Sequence, residues 1–351
     1  MKVLLVKLSS LGDVVHTLPV VQDLRGARPG VEIDWVVEQS FAPLLAHSQG
    51  LGRVIPCDIR RWLKAPLAAT TWAGWRAFKA QLQAEAYDAV IDLQGLTKSA
   101  LVARLARLAP GGRRYALANR TEGSGYEAPT RWLADVAVPV QPHIHAVQRG
   151  RLLCAQALGF QLPPAVDFGF TVAPSELARD AANTVLFVHG TSRPDKEWPL
   201  ANWVALGRRL IAAGYGVALP HASASELANS EKIAQALAGE QRPAPSRLAT
   251  PATVWPRLSL DALTERMAAC RGVVGVDSGL SHIAVALDLP HVQLYNFDTA
   301  WRTGPLPAAS SETPPMAPRQ RSVFAQPVPA VETVWQAWFA CSQTDPVDLP
   351  G

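Results

Sequence analysis

Three short segments of the 351-residue chain gather side chains able to do chemistry, and each joins an apolar run to a helical pattern. The first is Lys7-Leu8-Ser9-Ser10-Leu11-Gly12-Asp13. It stands where a dinucleotide fold carries G-x-G-x-x-G, but only Gly12 is present, which argues against a nicotinamide-type pyrophosphate loop. What it offers is a carboxylate at the start of a helix. Asp13 suits a general base, and a helix-terminal charge or cap accounts for it equally well. The second is His189-Gly190-Thr191-Ser192-Arg193-Pro194-Asp195-Lys196-Glu197-Trp198-Pro199. Hydroxyls, backbone N–H groups and the Lys196 ammonium suit a phosphate. Taken alone, a solvated polar loop with proline at the helix start is the plainer reading. The third is Gly275-Val276-Asp277-Ser278-Gly279-Leu280-Ser281-His282. Amide groups at such a helix start can hold an anion, although Asp277 and Ser278 also suit simple caps. Ser281 and His282 are not a nucleophile–base pair, because adjacent helical residues point in different directions and no G-x-S-x-G elbow surrounds them.

Missing motifs narrow the chemistry. There is no Walker loop, no H-E-x-x-H and no D-x-D, so no metal site is expected. Any sugar diphosphate would be held by positive side chains and helix N-termini. Cys57, Cys154, Cys270 and Cys341 are scattered without a C-x-x-C pair, which suggests neither a disulfide framework nor structural zinc. No apolar run reaches the ~18–20 residues of a membrane span. Lys7 interrupts Val3–Val6 before a signal-peptide core could form, so a cytoplasmic protein is expected.

The elements that must position these segments alternate. Strand candidates are Val3–Val6, Ile33–Val37, Arg53–Pro56 and Ala89–Leu93, then Thr184–Val188, Val217–Leu219, Gly272–Val276 and Val292–Tyr295. Helical patterns lie between them, beginning with one through Val14, Val15, Leu18, Val21 and Leu24. Strands separated by helices imply parallel sheets covered on both faces. Residues 110–142 read as mostly loop with one short helix, Gln161–Pro174 as a linker, and Pro305–Pro318 as loop. The expected organisation is two doubly wound α/β domains, 1–165 and 166–330, and a C-terminal helix and tail, 331–351. Ligands of such domains bind beyond the carboxyl ends of the strands, where all three segments fall. The first 165 residues carry a net +7 and the remainder −3, so an anionic ligand is expected on the first half.

Taken in order, these segments resemble the lipopolysaccharide heptosyltransferases of glycosyltransferase family 9. The resemblance extends to His16-Thr17-Leu18-Pro19, Asp34-Trp35-Val36-Val37-Glu38, Ile59-Arg60-Arg61-Trp62, the stretch Tyr87 to Leu96 and His145-Ala146-Val147, and it covers roughly residues 1–300. Ser-Ser-Leu-Gly-Asp is similar to the opening loop of the enzymes that add the first heptose, whereas those adding the second usually open with Trp-Val-Gly-Asp. The resemblance implies a GT-B fold, two Rossmann-like domains facing across a cleft. It implies inverting, metal-independent transfer of L-glycero-D-manno-heptose from ADP-L-glycero-β-D-manno-heptose to Kdo of Kdo-lipid A, at the cytoplasmic face of the inner membrane. No cofactor, nucleic acid or second chain is implied. Asp13 would be the general base and Lys196 would sit on the donor diphosphate. Thr191, Ser192, Asp277, Ser278, Gly279 and His282 would line the donor site. Glu226 would bind the donor ribose, although its neighbours His221–Ser225 depart from the family pattern. Asn296-Phe297-Asp298 departs too, standing where Gly-Pro-Thr is expected.

On the acceptor side the expected residues are Ser10, Arg60, Arg61 and Arg120. Lys64 and Trp62 extend the first basic group, and Arg113 and Arg114 join Arg120 in a second. Arginine forks suit carboxylate and phosphate, and a basic, Trp-bearing segment also suits a bilayer surface. Two alternatives remain at this level. One is another sugar-nucleotide enzyme on the same fold, such as an epimerase or the second heptosyltransferase. The other is a non-catalytic nucleotide-binding or membrane-surface module, against which Asp13 and Lys196 together argue.

Overall fold

The computed structural model describes residues 1–173, 181–240, 251–306 and 318–343. The chain divides into two compact units, Met1–Thr171 and Val172–Gly351. In the first, strands β1 (Lys2–Val6), β2 (Glu32–Glu38), β3 (Val54–Cys57), β4 (Ala86–Asp92), β5 (Arg107–Leu117) and β6 (Val136–Val138) form one sheet in the order β3-β2-β1-β4-β5-β6. In the second, β7 (Thr184–Val188), β8 (Gly216–Leu219), β9 (Ala252–Val254), β10 (Gly272–Val276), β11 (His291–Tyr295) and β12 (Gln320–Phe324) give the order β12-β11-β10-β7-β8-β9. Every pairing is parallel. Counted from its own first strand, each sheet has the same doubly wound order.

Burial on both faces explains the strand sequences. β7, β10 and β11 are buried at every residue, and a strand covered on both faces needs an unbroken apolar run. Helices complete each core. Phe78 and Leu82 of the helix Ala69–Leu82 pack with Val102 and Ala103 of Thr97–Leu105 on one face of the first sheet. In the second unit Trp203 and Trp338 join Phe187, Val274 and Leu294. No described helix is long and apolar enough to cross a membrane. The four cysteines are buried free thiols.

Several expectations are corrected. The first unit runs to Thr171 rather than 165 because residues 169–171 pair back onto it. Ser48 bridges Phe170, the Gln49 N–H donates to the Gly169 carbonyl at 2.7 Å, and the Thr171 N–H donates to the His47 carbonyl at 3.1 Å. The helix Val331–Ser342 is no separate tail, since it buries Val334, Trp338 and Cys341 in the second core. Pro174 of the expected linker, residues 307–317 of the expected loop and the last eight residues lie outside the described residues. The first helical pattern is two helices, Leu11–Thr17 and Pro19–Ala27, divided where Pro19 supplies no N–H. Residues 110–142, expected as mostly loop with one short helix, do hold a short helix, Thr130–Leu133, but also most of β5 and all of β6. β5 hid because Pro110, Gly111 and Gly112 sit in its middle, where its register against β4 shifts. A Cβ on Gly112 would stand 2.5 Å from the Tyr87 carbonyl oxygen, so that bulge requires glycine. β12, also unforeseen, is an edge strand with a polar start.

Candidate active site

In each sheet the strand order reverses beside the first strand, between β1 and β4 and between β7 and β10. Ligands of open α/β sheets bind at that point. The loops that leave these four strands are therefore the places to look.

In the first unit the loop after β1 carries Lys7 to Ser10 and enters the helix Leu11–Thr17, whose third residue is Asp13. Asp13 Oδ2 accepts from the Ser10 N–H at 3.2 Å and the Ser10 hydroxyl at 3.0 Å. Asp13 Oδ1 faces Lys7 Nζ at 3.4 Å and Arg149 Nη2 at 3.5 Å. The Lys7 side chain is 2% exposed, that of Arg149 7% and that of Asp13 36%. The carboxylate is thus open on one side and fixed on the others. Burial works to raise its pKa, but Lys7 and Arg149 outweigh it and hold Asp13 well below the usual carboxylate range. Lys7 shifts downward, burial first, with Arg149 adding to the effect.

The loop after β4 clamps this arrangement from beside it. The Gln94 side-chain oxygen accepts from the N–H groups of Leu8 (3.0 Å) and Ser9 (3.1 Å), and Lys7 Nζ donates to the Leu93 carbonyl at 3.3 Å. Gln94 is held in turn by its own N–H, which donates to Asp92 Oδ1 at 2.9 Å. Arg149 also donates to the Thr121 hydroxyl at 3.2 Å, tying Asp13 to the loop that carries Arg120. Sequence patterns alone did not mark Gln94 or Arg149 as site residues. Their positions at a strand end and in the first turn of a helix beside the switch point were the available signal.

The basic acceptor candidates separate. Arg60 and Arg61 follow β3 in the helix Ile59–Lys64, and Arg61 pairs with Asp58 at 3.6 Å. Arg120 follows β5. β3 and β5 are four strand spacings apart, about 19 Å at about 4.8 Å per step, so these arginines flank Asp13 on opposite sides of the carboxyl edge. Arg113 and Arg114 do not join Arg120 as a group, because both lie within β5. Arg114 instead donates to the carbonyls of Ala103 (3.1 Å) and Ala106 (2.9 Å), a structural tie.

In the second unit the loop after β7 reaches Lys196 through the short 3₁₀ turn Pro194–Lys196. The loop ends on Trp198, whose indole N–H donates to the Pro329 carbonyl at 2.8 Å and whose ring meets Trp203 edge-on at 4.9 Å. Lys196 Nζ pairs with Asp277 Oδ2 at 2.5 Å. Asp277, at the end of β10, also meets His282 Nε2 at 3.5 Å and accepts from the Thr303 hydroxyl at 3.3 Å. Burial works to raise the Asp277 pKa, while His282 and Lys196 hold it below the usual range. Ser278 stands at the N-cap position of the helix Gly279–Ala286 without a side-chain cap, and its buried hydroxyl has no hydrogen-bond partner among the described residues. The Ser281 hydroxyl turns inward to the Val276 carbonyl at 2.6 Å, leaving His282 to face Asp277.

The structure therefore joins Lys196, Asp277 and His282 directly and sets Ser278 and Gly279 beside them. Thr191 is half-buried and Ser192 exposed on the same loop. Glu226 closes a capping box, with Oε2 accepting from the N–H groups of Ala222 (2.6 Å) and Ser223 (3.2 Å). Its other oxygen lies where a Cβ on Gly190 would come within 2.6 Å, so glycine there lets this carboxylate lie against the loop. Asn296, the departure noted above, has a definite role. Its amide donates to the carbonyls of Asp195 (3.0 Å) and Glu197 (2.9 Å), the two residues on either side of Lys196.

Both halves match known proteins. The family model described as glycosyltransferase family 9 (heptosyltransferase) matches residues 75–324. Lipopolysaccharide heptosyltransferase 1 of Pseudomonas aeruginosa is 40% identical over 296 residues, 84% of this chain and 78% of that protein. Its namesake from Escherichia coli is 38% identical over 302 residues, 84% of this chain and 88% of that protein. The structure of E. coli heptosyltransferase WaaC with ADP superposes with a TM-score of 0.79 at 32% identity, covering 96% of this chain and 98% of that one. The two doubly wound sheets are those of the GT-B fold, and the chain belongs to glycosyltransferase family 9, the heptosyltransferases.

Proposed function

We propose that the protein transfers L-glycero-D-manno-heptose from ADP-heptose to Kdo of Kdo-lipid A, with inversion, in assembly of the lipopolysaccharide inner core. The single observation that carries this reading is Asp13 at the switch point of the first sheet, open on one side and aligned by Ser10, Lys7 and Arg149. In an inverting transfer the acceptor hydroxyl attacks the anomeric carbon from the side opposite the leaving ADP. Its proton passes to a carboxylate as the new C–O bond forms, a contribution of about 10²–10⁴-fold. Asp13 takes that part. Its low pKa keeps it ionised but weakens it as a base. An anionic acceptor near Arg149 would draw the positive field away and restore basicity.

The donor belongs to the second unit. A relative solved with ADP supports a nucleotide diphosphate as part of the donor. Negative charge builds on that diphosphate as the glycosidic bond breaks. Lys196, the amides at the start of Gly279–Ala286 and the Ser278 hydroxyl offer positive charge and donors to it. Each well-placed donor of this kind is worth roughly 3–4 kcal/mol of barrier. Lys196 must leave Asp277 in part to reach a phosphate, and His282 and Thr303 remain to hold that carboxylate. On this reading no divalent metal takes part, the acceptor meets the enzyme at the cytoplasmic face of the inner membrane, and the protein acts as a monomer. The test is to incubate purified protein with ADP-heptose and Kdo-lipid A, with and without EDTA. A product heavier by one heptose in both samples is expected. Absence of product removes the reading, and loss of product with EDTA removes its metal-independent part.

A further inference from the structure

We propose that the helical hairpin Ile59–Lys64 and Ala69–Leu82 docks the first unit on an anionic bilayer surface. The proposal rests on the reading that the acceptor is lipid-borne, and it names the face that meets the lipid. The hairpin has an inside and an outside. Inside, the Trp62 ring packs 5.6 Å from Trp75 and 5.6 Å from Phe78, and only Phe78 and Leu82 of the longer helix are buried. Outside, large apolar side chains face water: Leu63 is 73% exposed, Leu67 89% and Trp72 53%. Three exposed apolar groups so close in sequence, with a tryptophan among them, are the marks of an interfacial segment.

Charge selects the partner. From residue 59 to residue 84 the chain has no aspartate or glutamate but carries Arg60, Arg61, Lys64, Arg76 and Lys79. All five are exposed. Trp72, Arg76 and Lys79 recur at helical spacing, so the tryptophan and two cations share one stripe. The neighbouring helix Thr97–Leu105 buries Val102 and Ala103 in the same cluster and leaves Leu101 52% exposed. It belongs to a second stretch, 93–121, that also lacks any acidic residue. A protein partner would need its own long acidic, apolar patch, whereas an anionic bilayer offers both properties everywhere on its surface. Each lysine or arginine near such a surface adds about 1 kcal/mol of attraction, and the apolar side chains add burial in the headgroup region.

The experiment is co-sedimentation with vesicles of phosphatidylcholine, with or without a quarter of phosphatidylglycerol. The full chain should bind the anionic vesicles and not the neutral ones, and salt should weaken binding. The double variant Leu63→Ser, Leu67→Ser should bind at least about tenfold more weakly. Its unfolding midpoint should match that of the parent, because both side chains are exposed. Equal binding by parent and variant, or no binding to anionic vesicles, overturns the proposal. Both proteins are also assayed on a soluble Kdo glycoside without lipid. Equal transfer by the two supports the docking role. Failure of both to transfer overturns the acceptor reading alone, because vesicle binding is read without any acceptor.

Discussion

Lys7 Nζ lies 3.4 Å from Asp13 Oδ1, and the lysine is buried while the aspartate opens to solvent. A buried ammonium beneath a half-open carboxylate fixes both its position and its charge, and this leaves one side of Asp13 open. Replacing Asp13 by Asn keeps the shape and removes the proton acceptor. Transfer should fall by about 10²–10⁴-fold, while calorimetry should find donor affinity within a few-fold of the parent. Near-normal turnover would end the base assignment, and lost donor affinity would move Asp13 to the donor site.

Arg149 is the more peripheral of the two cations on Asp13, and its effect has a definite sign. A base acts when ionised, so kcat/KM falls as pH drops through its pKa in the free enzyme. Arg149 holds that pKa down. In Arg149→Met the acid limb should therefore move to higher pH. A limb that stays in place, with only kcat reduced, would assign Arg149 to the Thr121 loop instead.

Lys196 and Asn296 should be separable. Lys196→Met should weaken donor binding and turnover together, because contact with the diphosphate strengthens as the leaving group gains charge. Asn296→Ala removes two hydrogen bonds to the turn that carries Lys196. At about 1 kcal/mol each, their loss should raise the donor KM up to about thirtyfold and leave the acceptor KM unchanged. An unaltered donor KM would mean that the turn holds its shape without Asn296.

Arg60→Ala and Arg120→Ala should raise the acceptor KM more than the donor KM, and added salt should imitate them. Their separation across the sheet edge makes their effects additive in a double variant. Equal effects on both substrates would remove them from the acceptor side.

What was legible in the sequence follows from how each feature is encoded. β1, β7 and β10 stand out as apolar runs because both faces are covered, and Asp13, Lys196 and Asp277 stand out as polar residues just beyond them. β5 does not, since a Pro-Gly-Gly bulge interrupts it and two adjacent arginines, Arg113 and Arg114, follow the bulge. Arg114 resembles a binding arginine until its carbonyl partners are seen. Gln94 acts on Leu8 across 86 residues, and Asn296 acts on Asp195 across 101. Contacts of that kind depend on strand order, which no local pattern carries.

Asp92 should tie folding stability to pH, at the start of the loop that clamps Lys7 and Ser9. It ends β4, is 1% exposed, and accepts from the N–H groups of Gln94 (2.9 Å) and Gly95 (3.3 Å). Burial pushes its pKa up to about 6, against the pull of those hydrogen bonds and of Lys7. The geometry accommodates the neutral form. The Ser99 hydroxyl has one proton and two acceptors in reach, the Leu96 carbonyl at 2.7 Å and Asp92 Oδ2 at 3.1 Å. A protonated Asp92 can donate to Ser99 and free that proton for Leu96. In the unfolded chain the carboxyl titrates near about 3.9. Between that value and about 6, the folded protein holds a proton that the unfolded chain has lost. This group's contribution to stability is therefore largest in acid and declines as pH rises through 6, by about 3 kcal/mol in all. Asp13 and Asp277 act in the opposite sense, since their lowered pKa values favour the fold above the usual carboxylate range and lose that advantage as pH falls. Asp92→Asn keeps the acceptor for Gln94 and Gly95 and offers Ser99 an amide donor, with no proton to lose. Urea unfolding of parent and variant at about pH 5 and about pH 7 isolates this contribution. The variant should gain stability relative to the parent on going from the lower to the higher pH. Parallel behaviour of the two proteins would show that Asp92 is ionised in the fold at both values.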